Sequence, residues 1–253
     1  MFTFCVAAHK GGVGKTTVAA NLAAVLGTHG GVLAVDLDPQ AGLGGALGLE
    51  VSKPTVYEGL RDQGIFEAAV RSCDVDGMAV VPADLDLAGA QLELPSRHGW
   101  HHELAGRLEP LQGAYRWGVL DTPPGLGVLT HLAFAASDAV IAVCPPDFMA
   151  VRALPLLLET LEQARSIRPE LRLLGIVPTL VGTRTLHERE VLAHLDDRYG
   201  ELLLPGIPRR IAVADAHITG RPIVGGDPAH RASVAFRDLA GEVMRRATAP
   251  ITV

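Results

Sequence analysis

The chain has 253 residues, 48% hydrophobic and 20% charged, with a net charge of −6. That balance suits one large α/β unit with an aliphatic core and excludes a disordered or uniformly basic chain. No apolar run reaches the ~18 residues of a membrane span, and Cys5, Cys73 and Cys144 stand singly, so no disulfide framework or paired-cysteine metal motif is expected and a reducing cytoplasm is the default.

Short aliphatic runs alternate with longer segments of helical spacing. The runs are Phe4–Val6, Val32–Val35, Met78–Val81, Val119–Leu120, Ala139–Val143, Leu173–Val177 and Leu202–Ile207, and such runs suit strands buried on both faces of a parallel sheet. The first follows no basic leader and enters a glycine-rich loop, so it reads as a strand rather than a signal peptide. Val18, Leu22, Val25 and Leu26 mark one helix face; Val151, Leu154, Leu157 and Leu161 another; Phe236, Leu239, Ala240, Val243 and Met244 a third. The series is βαβ, which predicts a doubly wound, mostly parallel α/β sheet flanked by helices, in one domain over residues 1–253. Ligands of such sheets sit at the carboxyl ends of the strands.

The first run leads into Lys10-Gly11-Gly12-Val13-Gly14-Lys15-Thr16-Thr17. Glycines let backbone N–H groups curl around phosphate oxygens, and the following helix adds its positive end. Lys15 is placed to reach the β- and γ-phosphates of a nucleotide and the Thr16 hydroxyl to bind Mg²⁺. The usual glycine at position 9 is His9, and a second lysine, Lys10, stands at the loop entrance. The second run ends in Asp36-Leu37-Asp38-Pro39-Gln40. Alternation puts Asp36 and Asp38 on one face, and Pro39 halts the strand. An aspartate there can hold the magnesium shell or orient an attacking water. The cluster His98, Trp100, His101 and His102 matches no metal spacing and reads as a solvated helix start. The run before Asp121-Thr122-Pro123-Pro124 makes Asp121 a candidate for a magnesium-bound water. Residues 1–183 carry a balance of −7 and residues 184–253 of +1, with every basic residue of the latter an arginine; this is either a solvated surface or an arginine patch for phosphates.

The loop, the carboxylate motifs and the C-terminal third together resemble the ParA/Soj partition ATPases, relatives of MinD in the deviant Walker-A class, over nearly the whole chain. The resemblance implies ATP and Mg²⁺ as cofactors and Lys10 reaching across a dimer interface to a partner's phosphates. It makes Asp38 the hydrolysis residue, with Asp36 a support near magnesium. Where the family continues Gly-Asn-Ala-Thr after Asp-Pro-Gln, this chain has Ala41-Gly42-Leu43-Gly44. The family holds adenine at positions that carry over to Thr179 and Pro208. Ala214-Asp215-Ala216, Gly220-Arg221-Pro222-Ile223 and Asp227-Pro228 stand where it has EAP, GKPI and DP. One DNA-binding arginine matches Arg184; the other falls at Ala212, leaving Arg209, Arg210 and Arg221 as the expected substitutes. The match starts at the first strand, so no N-terminal DNA-reading extension is expected. The implied protein is a cytoplasmic, nucleoid-associated, ATP-dependent homodimer that binds nonspecific double-stranded DNA, answers to a ParB-like stimulating protein and does not use a membrane. The alternative is a MinD-like membrane-surface or protein-cargo positioning ATPase, although Pro250 breaks the terminal helix a membrane would need. An iron–sulfur carrier on this scaffold would need paired interfacial cysteines.

Overall fold

The computed structural model describes residues 1–182 and 185–249. Strands β1 (Phe2–Ala7), β2 (Val32–Asp36), β3 (Arg71–Ser72), β4 (Met78–Val81), β5 (Trp117–Asp121), β6 (Ala139–Cys144) and β7 (Arg172–Pro178) form one sheet. Its order is β3-β4-β2-β5-β1-β6-β7. Every pairing is parallel except that of the two-residue β3, an edge strand too short for its sequence to announce. The helices are α1 (Lys15–Gly27), α2 (Gly42–Ala46), α3 (Val56–Arg61), α4 (Gln63–Ala68), α5 (Leu87–Glu93), α6 (Glu103–Leu108), α7 (Val128–Ala135), α8 (Phe148–Ala164), α9 (Leu186–Tyr199), α10 (Ile211–Ile218), α11 (Ile223–Gly226) and α12 (Arg231–Thr248).

Alternation along the strands divides the core into two layers. Phe4, Val6, Val32, Ala34 and Val119 pack with α1 and α12, through Val18, Leu22, Phe236 and Leu239. Cys5, Ala7, Leu33, Val35 and Leu120 pack with the helices of the opposite face, including Leu129, Leu154 and Leu157. The expected helix faces are the buried ones, with Val25 and Met244 at their margins. Alanine-rich α1 is buried almost all round because small side chains let the sheet and α12 approach closely. Trp100 and His101 stack at 3.7 Å in a short 3₁₀ turn that leads into α6, the helix start the sequence implies.

Leu202–Ile207 differs from expectation. It runs beside β7 in the parallel sense but forms only an isolated bridge with it, Ile176 with Leu203, and a second bridge, Val181 with Pro208, follows beyond the ends of both. Leu204 N–H donates to Ile176 O at 2.8 Å and Ile207 N–H to Pro178 O at 2.7 Å. The step of three residues from Leu204 to Ile207 thus spans a step of two in β7, Ile176 to Pro178, so the register slips and no continuous ladder forms. The segment is held instead by Arg246 of α12, whose guanidinium donates to the carbonyls of Leu174, Leu202 and Leu203.

Two glycines with left-handed backbones meet on the α1 face. Gly48 (φ 66°) ends the segment after α2, and Gly220 (φ 67°) lies between α10 and α11. A Cβ at 220 would lie 2.5 Å from Gly48 Cα, and one at 48 would lie 2.9 Å from Gly220 O. Among the described residues no helix is long and apolar enough to cross a membrane.

Candidate active site

The site is built at the carboxyl ends of β1, β2 and β5. The loop after β1 turns through Gly12 (φ 71°) and Gly14 (φ 94°), both in the left-handed region that glycine enters without steric cost. Gly14 opens α1, and no side chain caps that helix. Its N-terminal N–H groups therefore face the loop's concavity, as an anion site requires. Lys15 is buried, and its Nζ donates to Lys10 O at 3.4 Å. Burial lowers the Lys15 pKa, and the charges of Asp121 and Asp38 oppose that shift. The Thr179 hydroxyl donates to Val13 O at 2.7 Å, pinning the loop to the end of β7. Gly11 rests against Pro124 of the turn after β5.

Because β2 pairs with β5 in register, Asp36 stands beside Asp121, and both are fully buried. Asp36 is partnered: Oδ1 accepts from Asp38 N–H and Oδ2 from Leu43 N–H, each at 3.0 Å. It thereby shapes the turn through Asp38 and caps the start of α2. Neither oxygen of Asp121 has a hydrogen-bond partner. Burial pushes Asp36 up to about 7, although the N–H donors pull the other way. Burial also pushes Asp121 well above the ordinary carboxylate range, with the neighbouring Asp36 adding to the shift and Thr16 and Lys15 opposing it. Two buried carboxylates side by side with one orphaned are costly unless a cation joins them. The donor set, Asp121 and Asp36 with the Thr16 hydroxyl nearby, is hard oxygen and fits Mg²⁺. Half-buried Asp38 sits one turn outward, its Oδ1 accepting Gln40 N–H at 2.9 Å. Gly42, at the head of α2, leaves room for only ordinary contact with the Thr16 side chain.

A cleft of about 430 Å³ adjoins the loop, lined by Gly14, Thr17, Thr179, Pro208, Val213 and His217 among others. The sequence-derived Thr179 and Pro208 thus share one wall. The rest of the lining comes from α10, through Val213, Ala214, His217 and Ile218, of which the sequence had singled out only Ala214. Arg209 and Arg210 are exposed at the start of α10, and Arg210 also lines this cleft. Arg221 is elsewhere: it pairs with Asp74 at 2.7 Å in a second cleft, beside Ala24, Val25 and Thr28 at the far end of α1. The stretch of α1 between them puts roughly 15 Å between the two clefts. Arg184 lies outside the described residues. Lys10 is exposed, its Nζ 3.7 Å from Asp147 Oδ1. Sequence reasoning missed Asp147, because the only local signal, an aspartate before an apolar helical run, announces a cap and nothing more.

A loop of backbone donors, a buried lysine and an orphaned aspartate on the adjacent strand define a P-loop nucleoside triphosphatase. A family model described as an AAA domain matches residues 1–173. The chromosome-partitioning ATPase Soj of Thermus thermophilus is 39% identical, over 95% of this chain and 94% of its own. The chromosome partitioning protein ParA of Caulobacter vibrioides is 36% identical, over 95% of this chain and 93% of its own. A cobyrinic acid a,c-diamide synthase from Mycobacterium smegmatis, solved with ADP and magnesium, superposes with a TM-score of 0.82 at 36% identity, covering 97% of this chain and 94% of that one. The chain belongs to the AAA-domain family and, within it, to the ParA/Soj ATPases.

Proposed function

We propose that this ATPase is a dimerising switch that binds DNA without sequence preference and partitions a chromosome or plasmid with a ParB-like partner. The observation that carries the reading is the exposed Lys10 at the mouth of a complete phosphate loop. Lys15 and Thr16 already serve that loop, so a second lysine at its rim is surplus to one chain and available to another. The loop N–H groups and Lys15 would hold the triphosphate, and Thr16, Asp36 and Asp121 would hold magnesium, which would offset charge on the phosphates. Asp38, on a turn fixed by Asp36, orients the attacking water. Lys10 of a second copy supplies positive charge in trans, so ATP joins two subunits and its hydrolysis releases them. Asp38→Ala is expected to keep ATP binding and dimerisation and to lose turnover by ~10²-fold or more, measured as phosphate release.

DNA contact rests on arginines at the start of α10 and at Arg184, and phosphate contacts of this kind weaken steeply with salt. Fluorescence anisotropy of a labelled random-sequence duplex, with ATP–Mg²⁺, with ADP and without nucleotide at two salt concentrations, tests the proposal. Binding only with ATP and weaker at high salt supports it. No binding in any state, with ATP-driven dimerisation intact, ends the nucleoid reading and leaves a switch for a protein cargo or a membrane surface.

A further inference from the structure

Lys10 is held twice within its own chain. Its carbonyl accepts from Lys15 Nζ at 3.4 Å, and its ammonium lies 3.7 Å from Asp147 Oδ1. Asp147 has a second task. It is the N-cap of α8, the same Oδ1 accepting Ala150 N–H at 3.1 Å. The α8 end and the loop also pack directly, with Ala8, His9, Lys10 and Val13 on one side of a small cavity and Ala150, Ala153 and Leu154 on the other. The carboxylate is therefore fixed in place by a helix terminus, and the lysine comes to it.

From this geometry we infer that Asp147 is a positioning residue that latches Lys10 to its own subunit and sets how readily two subunits join. The inference rests on the proposed trans role of Lys10, since an ammonium paired with Asp147 is not free to pair with a partner's phosphates. Both side chains of the pair are about half exposed, and such pairs shift an equilibrium by only ~1.4- to 5-fold. The triphosphate carries several negative charges against the one of Asp147, so it outcompetes the latch when a second copy arrives. A latch of this size biases the monomer–dimer equilibrium without forbidding the dimer. A symmetric dimer must open two latches, so removing them tightens it by roughly 2- to 25-fold, the single-pair range squared.

Asp147→Asn removes the charge and keeps a good N-cap, whereas Asp147→Ala removes both. Sedimentation equilibrium with a non-hydrolysable ATP analogue and Mg²⁺ reads the dimer dissociation constant, and a fluorescent analogue reads nucleotide affinity at concentrations where the protein is monomeric. The expected result is a 2- to 25-fold tighter dimer for Asp147→Asn, unchanged monomer affinity for nucleotide, and no tightening when Lys10→Ala is also present. Asp147→Ala should tighten the dimer equally while lowering thermal stability, which separates the latch from the cap. An Asp147→Asn dimer no tighter than wild type, or one tightened equally in the Lys10→Ala background, overturns the latch. A wild-type protein that forms no dimer with the analogue overturns the proposed switch itself.

Discussion

At Ala41 the chain keeps a left-handed backbone (φ 54°, ψ 35°) between the Asp38 turn and α2, where relatives carry glycine. An L-residue there costs roughly 1–2 kcal/mol, partly offset by the smaller entropy that alanine loses on folding. Ala41→Gly is therefore expected to stabilise the protein by about 0.5–1 kcal/mol, read as a higher urea midpoint at unchanged m-value. A few bonds away the Asp36–Asp121 pair makes a second prediction. In the folded state burial raises both carboxyls, Asp36 from an ordinary 3.8 to about 7, so the metal-free fold binds more protons than the unfolded chain between those values. Stability from this pair is present below 3.8 and is lost as pH rises toward about 7. Asp121→Asn should flatten that decline in chemical denaturation without Mg²⁺, and adding Mg²⁺ to the wild type should counter it above pH 7. A decline equally steep in Asp121→Asn would remove the pair as its cause.

Elements show where local pattern ends and tertiary context takes over. The strands from Phe4, Val32, Met78, Ala139 and Leu173 were legible because buried parallel strands are continuous aliphatic runs. Leu202–Ile207 is just as aliphatic, but its register slips against β7, and what fixes it is an arginine from the far end of the chain. Arg246 is mostly covered, donating to three carbonyls and pairing with Glu242. Arg246→Met would strand those acceptors and is expected to cost about 2–4 kcal/mol. It should also weaken nucleotide binding, because Pro208 follows the freed segment into the cleft wall. Equilibrium denaturation paired with fluorescent-nucleotide titration checks both effects, and a loss of stability with unaltered affinity would separate the segment from the cleft.

Across the whole molecule the phosphate loop and its carboxylates could be read because each motif lies in a few consecutive residues at a strand end. That Asp36 and Asp121 touch could not, since it depends on β5 inserting between β1 and β2. Nor could the separation of Arg221 from Arg209 and Arg210: close in sequence, they flank opposite ends of α1. The two loop lysines divide the molecule's response to nucleotide. Ligand at a hundred times its Kd adds about 2.7 kcal/mol to stability. In dilute protein, Lys10→Ala should retain that thermal shift with ATP–Mg²⁺, whereas Lys15→Ala should abolish it. Equal loss in both variants would place Lys10 in its own subunit's phosphate site.

The contact of Gly48 with Gly220 carries a consequence for inheritance. A single methyl on either residue would overlap the other's backbone, so neither segment can change alone without displacing its counterpart. One belongs to the stretch that follows Asp38 and α2; the other closes the turn after α10, which lines the cleft beside the phosphate loop. Loops grafted from a relative would have to be exchanged together, and a chimera that took one half would carry a steric fault between the turn that holds Asp38 and the helix that lines the cleft.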